Sequence, residues 1–254
     1  MAENILTPNA IWQGVEIPND IEYEVVSKII DGDYTISHII VNANKTDDGQ
    51  VKVYCELCEK NGTEKSSAVL CVKGENTVNN EDLLKELAND YGYILSVDLK
   101  GEREGVRFYT EYPESLFYAN YDKDIVNICA IEGEVTETCW YVWALALRYC
   151  TKFLVNMTGV KKIGGIGFGD FATPLWQTAS MTDYFDCVAF AFNSGWKSFL
   201  SYSKFRGETQ PKFTDAEFAF SAGIEPQSYA IHLSCPTMVL APTNSIKYWD
   251  IAKR

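Results

Sequence analysis

From Glu22 to Leu57 apolar and polar residues alternate in runs broken by turn signals. Glu22–Ile30 and Asp33–Val41 flank Asp31-Gly32, and the turn Lys45–Gly49 leads into Gln50–Leu57. In that last run Val51, Val53 and Cys55 alternate with Lys52, Tyr54 and Glu56. A period of two predicts antiparallel strands with one face buried and one wet, and Asp-Gly is a strong hairpin signal. The pattern then changes. Ser67–Lys73 is a short continuous apolar run, as expected of a strand covered on both faces. Asn80 caps a predicted helix over Glu81–Tyr91, with Leu83, Leu84 and Leu87 on one face. Gly92 ends it, and Tyr93–Leu99 reads as a second buried strand. A strand–helix–strand unit predicts a parallel pair joined by a right-handed crossover.

Gly101–Gly133 is long, polar and aromatic, with Tyr109, Tyr112, Phe117, Tyr118 and Tyr121, and reads as a loop packed as a lid. Thr136–Asn156 is the strongest helix, and its apolar residues run nearly all round, so both sides need cover. Lys162–Phe168 reads as a strand, Asp170–Ser180 as a helix and Phe185–Phe192 as a strand. Asn193–Glu217 is irregular, Pro236–Pro242 is the last strand and Ile246–Arg254 a short helical tail. With no repeat and no linker, the pattern predicts a single domain over residues 1–254. Residues 1–60 form antiparallel hairpins and residues 67–254 a parallel α/β core.

Charge and cysteine usage narrow the functions. Lys+Arg number 22 against Asp+Glu 35, a net −13, and an acidic surface repels phosphate backbones and anionic lipid. Nucleic acid and membrane are therefore not expected partners. The longest uninterrupted apolar run, Cys139–Leu147, falls far short of the roughly twenty residues that span a bilayer. The N-terminal stretch has no basic region followed by an apolar one, so a cytoplasmic location is expected. Of eight cysteines, Cys71, Cys129, Cys139, Cys150, Cys187 and Cys235 sit in apolar segments as small hydrophobes. Cys55 and Cys58 form the one close pair, and with only His38 and His232 to help, no metal and no cofactor is expected. A redox or metal role for Cys55 and Cys58 is the lesser reading.

The segment Lys161–Gly169, KKIGGIGFG, runs from a strand through a glycine turn into a helix. In that setting G-x-S-x-G forms a nucleophile elbow. Gly165, Gly167 and Gly169 occupy the pattern, with Gly167 at the nucleophile position. VDLKGEREG (97–105), EYPESL (111–116), WKSFLSYSKF (196–205) and AGIEPQSYAIHLSCPTMVLAPTN (222–244) follow in order around it. Together, over about residues 67–250, they resemble the α/β-hydrolase fold, and within it the dienelactone hydrolase and acetylxylan esterase-like proteins. The resemblance implies an α/β three-layer sandwich. Its mostly parallel sheet has antiparallel N-terminal strands and lacks the C-terminal strand and its histidine-bearing helix.

The same resemblance implies a vacant catalytic triad. Gly167 has no side chain, and the acid position reads Asn244-Ser245, where serine carries no negative charge. His232 precedes the last strand and His38 lies in the N-terminal hairpin, so neither is the expected base. Asp170 is read as a helix N-cap. The backbone amides of Phe168 and of the Gly74-Glu75 turn are the candidate oxyanion or anion donors. Asp98, Lys100, Glu102 and Arg103 form a charged cluster after a strand end, read as a solvated loop face. The expected function is that of a non-catalytic ligand-binding or structural module with a small carbohydrate or ester ligand. A homodimer through the C-terminal sheet edge or the 136–156 helix is expected. The alternative is a carboxylic-ester hydrolase of the acetyl esterase type with an unconventional or intermolecularly completed site.

Overall fold

The computed structural model describes residues 7–62, 66–73, 81–102, 105–116, 135–193 and 223–240. Three long strands begin the sheet: β1 (Tyr23–Asp31), β2 (Tyr34–Thr46) and β3 (Gly49–Lys60). They form an antiparallel meander whose first turn is closed by Gly32 at φ 58°, a value costly to any residue with a Cβ. Then come β4 (Ser67–Val72), α2 (Glu81–Tyr91) and β5 (Gly92–Val97), preceded in the chain by a short α1 (Pro8–Trp12). The helix α3 (Cys139–Asn156), β6 (Lys162–Phe168), α4 (Ala172–Ser180), β7 (Cys187–Ala191), α5 (Pro226–Ala230) and β8 (Thr237–Leu240) complete the order.

The eight strands form one sheet in the order β1-β2-β3-β5-β4-β6-β7-β8. β3 and β5 are antiparallel, whereas β5, β4, β6, β7 and β8 are parallel to their neighbours. The predicted parallel pair is therefore present, with Ser67 opposite Gly92 and Val72 opposite Val97. Helices cover both faces. Residues such as Leu70, Leu95, Val97 and Val188 pack with α3 and α4 in the main core. Ile36, Cys58, Val69, Cys71 and Ile94 pack under Leu84 and Ala88 of α2 on the opposite face.

Several elements differ from expectation for identifiable reasons. The 136–156 helix begins at Cys139, because Thr138 caps it and Val135–Glu137 forms a separate 3-10 turn. The polar face of β3 is wet at Lys52 but covered beyond it: Tyr54 and Glu56 are 5% and 3% exposed. Residues 105–116 lie over it. Tyr54 N donates to Thr110 Oγ1 at 3.0 Å, and Lys52 and Glu111 exchange backbone hydrogen bonds. Cys187, expected in an apolar setting, is exposed at the start of β7. Cys55 and Cys58 point into opposite cores, so the pair cannot converge on a metal or form a redox couple. Cys55 Sγ instead lies 3.7 Å from Cys150 Sγ, and burial pushes the Cys55 thiol well up and that of Cys71 to about 12. Thiols so placed are inert packing groups. Among the described residues no three His, Cys, Asp or Glu side chains cluster as metal ligands, and no helix is long and apolar enough to cross a membrane.

The helix α3 carries thirteen buried residues. Its sheet-distal side is covered from within the chain, by α4 and by a cluster of Trp12 and Tyr229 against Ala144 and Leu145. Trp12 Nε1 donates to Tyr229 Oη at 3.1 Å, and that hydroxyl donates to Gly223 O at 2.7 Å. The Arg148 guanidinium stacks 5.0 Å over the Trp12 ring and donates to Val15 O. This apolar helix therefore needs no second subunit to cover it.

Two outcomes follow. Tyr229→Phe orphans the Trp12 indole N–H and the Gly223 carbonyl, and is expected to cost about 1–3 kcal/mol in chemical denaturation. Asp48 accepts from the Ser115 hydroxyl and amide and from the Thr46 hydroxyl, which hold its carboxyl down at about 2. With the folded value depressed, the tether is intact above the ordinary carboxylate range and is lost as pH falls through about 2. Carboxyl NMR titration is expected to show this midpoint in the wild type and a higher one in Ser115→Ala.

Candidate functional site

The rim where the parallel strands end is the usual ligand end of an α/β sheet. There β6 runs into a 3-10 turn, Gly169–Phe171, and directly into α4. The turn is possible because β6 is nearly bare. A Cβ on Gly165 would lie 2.9 Å from Phe185 Cε1, and one on Gly167 would lie 2.8 Å from Ala172 Cα. Glycine at 167 lets α4 lie directly on the strand, and glycine at 165 leaves room for the Phe185 ring.

The elbow falls two residues later than the sequence pattern suggested. Gly167 is not in the left-handed region; Gly169 is, at φ 56°. A Cβ on Gly169 meets nothing within 4 Å, so this is the position whose side chain would project freely from the turn. Gly167 instead serves close helix–strand packing. In the shifted frame Gly167-Phe168-Gly169-Asp170-Phe171 spans the elbow, and Phe171 stands where the pattern has its last glycine. Phe171 is 2% exposed and packs 5.2 Å from the Trp143 ring, with Lys100 Nζ 5.8 Å from its own. The signal for this frame was present in the sequence as a second glycine followed by an acidic residue. It was obscured because Gly165 and Gly167 also fit the spacing.

Other expected site residues shift with the frame. Asp170 is not a helix N-cap: the cap positions are Phe168 and Phe171, neither with a side-chain cap bond, and Asp170 lies inside the 3-10 turn. Phe168 is the last strand residue, pairs with Ala191 and packs toward the α2 face. The amide following the elbow is that of Asp170, so Phe168 is not the elbow's donor. Asp98 is buried, its Oδ1 accepting from Lys100 N at 3.0 Å, so it is not part of a solvated loop face; Glu102 is exposed. Gly74, Glu75, Arg103, Asn244 and Ser245 lie outside the described residues.

Asn193, read from the sequence only as the start of an irregular segment, holds the elbow from the neighbouring strand. It is 2% exposed, and its Nδ2 donates to Gly169 O at 2.9 Å and to Thr173 Oγ1 at 3.1 Å. Phe192 just before it has φ 58°, the only non-glycine residue at positive φ among the described residues. Strained backbone of this kind concentrates at functional sites. His232 lines a cleft of about 560 Å³ with Ser180 and Asp183, at the other end of α4. At 1.5 Å per residue that helix sets it roughly 13 Å from the elbow. No hydrogen bond joins these three side chains among the described residues, so they do not form an alternative triad.

No protein-family model matches the sequence, and comparison with curated proteins gives no match. Solved structures do match. The acetyl xylan esterase from Paenibacillus sp. R4 superposes with a TM-score of 0.59 at 12% identity, covering 97% of this chain and 90% of that one. Acetyl xylan esterase 1 from Thermoanaerobacterium sp. JW/SL YS485 gives 0.55 at 10%, covering 93% and 87%. A glucuronoyl esterase from Solibacter usitatus gives 0.59 at 11%, covering 94% and 74%. At such identities the likeness speaks for architecture. The mixed eight-stranded sheet, its flanking helices and these neighbours together show that the chain has an α/β-hydrolase fold.

Proposed function

We propose that the protein is a non-catalytic member of the esterase-like α/β hydrolases, acting as a ligand-binding or structural module rather than turning over esters. One observation carries this reading: the elbow residue in left-handed conformation, with open space ahead of its Cβ direction, is Gly169. Acyl transfer on this architecture needs a hydroxyl or thiol at that point, and glycine supplies neither. The backbone there is retained and braced by Asn193, so the turn keeps its shape without its chemistry. Glycine also removes the cost of holding a side chain at positive φ, about 1–2 kcal/mol. A small carbohydrate or ester fits the reading as ligand, by analogy with what the neighbouring structures are named for. A homodimer would rest on β8, where Met238 and Leu240 are 58% and 44% exposed.

The test is hydrolysis of p-nitrophenyl acetate by the native protein, beside the same sample heat-denatured, with labelling by a fluorophosphonate. The expected result is no turnover above the denatured control and no label. Clear turnover by the native sample would overturn the reading and put an ester hydrolase in its place. Two variants check the frame by denaturant unfolding. Gly167→Ser drives a Cβ into Ala172 and is expected to cost about 1–3 kcal/mol through overpacking. Gly169→Ser meets open space and is expected to lose only the conformational cost of about 1–2 kcal/mol.

A further inference from the structure

On the α2 face, the period-two alternation that places Ile36, Cys58, Ile94 and Cys71 under α2 continues past its cover. It brings His38 of β2, Tyr54 and Glu56 of β3, Lys73 after β4 and Asp98 after β5 to one place. They line a cavity of about 320 Å³, closed on one side by residues 105–108. That volume is at the lower end of small-molecule sites, about 300–1,000 Å³.

The hydrogen bonds in this cluster form a chain that runs from Lys73 through Glu56 and Tyr54 to His38. Lys73 Nζ donates to Glu56 Oε2 at 3.0 Å. Tyr54 Oη donates its single proton to Glu56 Oε1 at 3.2 Å. Tyr54 Oη also lies within hydrogen-bonding distance of His38 Nδ1, and having spent its proton it must accept there. In the arrangement where Tyr54 donates to Glu56, His38 carries its proton on Nδ1 and Nε2 is an acceptor facing no partner among the described residues. The rings of Tyr54 and Phe108, with centroids 6.0 and 5.7 Å from that of His38, hold the imidazole plane. Exchanging a buried ion pair for well-packed apolar residues is often neutral or stabilising, yet Glu56 is 3% exposed and Lys73 is bound to it. The chain of polar groups ends on one imidazole, that of His38.

We propose that this cavity binds a small hydroxy acid, whose hydroxyl donates to His38 Nε2 and whose carboxylate meets the Arg107 guanidinium. An oriented imidazole acceptor calls for a hydroxyl donor. Arg107 is exposed, its guanidinium 4.9 Å over the Phe108 ring, and offers the planar fork that suits a carboxylate. Glu56 is already bound by Lys73, which leaves the exposed Arg107 guanidinium at the cavity's rim to meet the ligand's carboxylate. The site shares no lining residue with the elbow and is independent of what happens at Gly169.

Heteronuclear NMR of the imidazole nitrogens tests this, since His38 and His232 are the only histidines and His232 is an internal reference. The wild type is expected to show His38 protonated at Nδ1. Titration with para-hydroxybenzoate is expected to give a saturable shift at His38 Nε2. Benzoate, which lacks the hydroxyl, and para-hydroxybenzyl alcohol, which lacks the carboxylate, are each expected to bind at least about tenfold more weakly, roughly 1.4 kcal/mol. Arg107→Ala, a change at an exposed residue, is expected to weaken para-hydroxybenzoate to the level of the alcohol. Tyr54→Phe is expected to release the tautomer. Protonation of His38 at Nε2 in the wild type overturns the proposal. So does an equal response to the three compounds, or no His38 response at roughly millimolar para-hydroxybenzoate.

Discussion

The contact on which the rim of this protein depends is the approach of α4 to β6, close enough that Gly167 has no room for a methyl group. A strand and helix this close are joined by a turn of only three residues, Gly169–Phe171, whose first position is left-handed. Gly169 takes that position. Phe171 then anchors the far side of the turn against Trp143, while Asn193 ties its carbonyl to the next strand. Trp176, from the middle of α4, stacks on Phe190 with centroids 3.8 Å apart, so the helix is pressed onto β7 as well. The shape of the turn is thus supported by packing and hydrogen bonds from three neighbouring elements.

Fold and site differed in how far the sequence disclosed them. The bounds of α2 and β6 were readable to the residue, because a helix between a buried run and Gly92, and a strand ending at a glycine turn, are local signals. The start of α3 was missed by three residues, since a Thr cap one step inside an apolar run looks like more helix. The face of β3 was misjudged because alternation says that two faces differ, not that the polar one is wet. Tyr54 and Glu56 are covered by a segment more than fifty residues away, which no local pattern announces. At the elbow, three glycines two apart gave two admissible frames, and only backbone dihedrals and the space around each Cβ separate them.

The two ends of the rim differ in what they hold. At Gly169 the left-handed residue of the turn carries no side chain, and Asn193 holds its carbonyl from the neighbouring strand. Over β2 and β3 a chain of polar side chains lies buried or half-buried against the sheet.

The strand order also has a consequence for how the chain reaches its native state. β4 is made before β5, but β5 takes the place beside β3, and β4 is then held between β5 and β6. The antiparallel meander of β1 to β3 relies on contacts near in sequence and closes early. Its inner edge stays without a partner until residues 92–97 have been synthesised, and β4 lacks its second neighbour until residues 162–168 follow. Between those points a row of unpaired backbone donors and acceptors is exposed, the state in which a nascent sheet is most open to pairing with another chain.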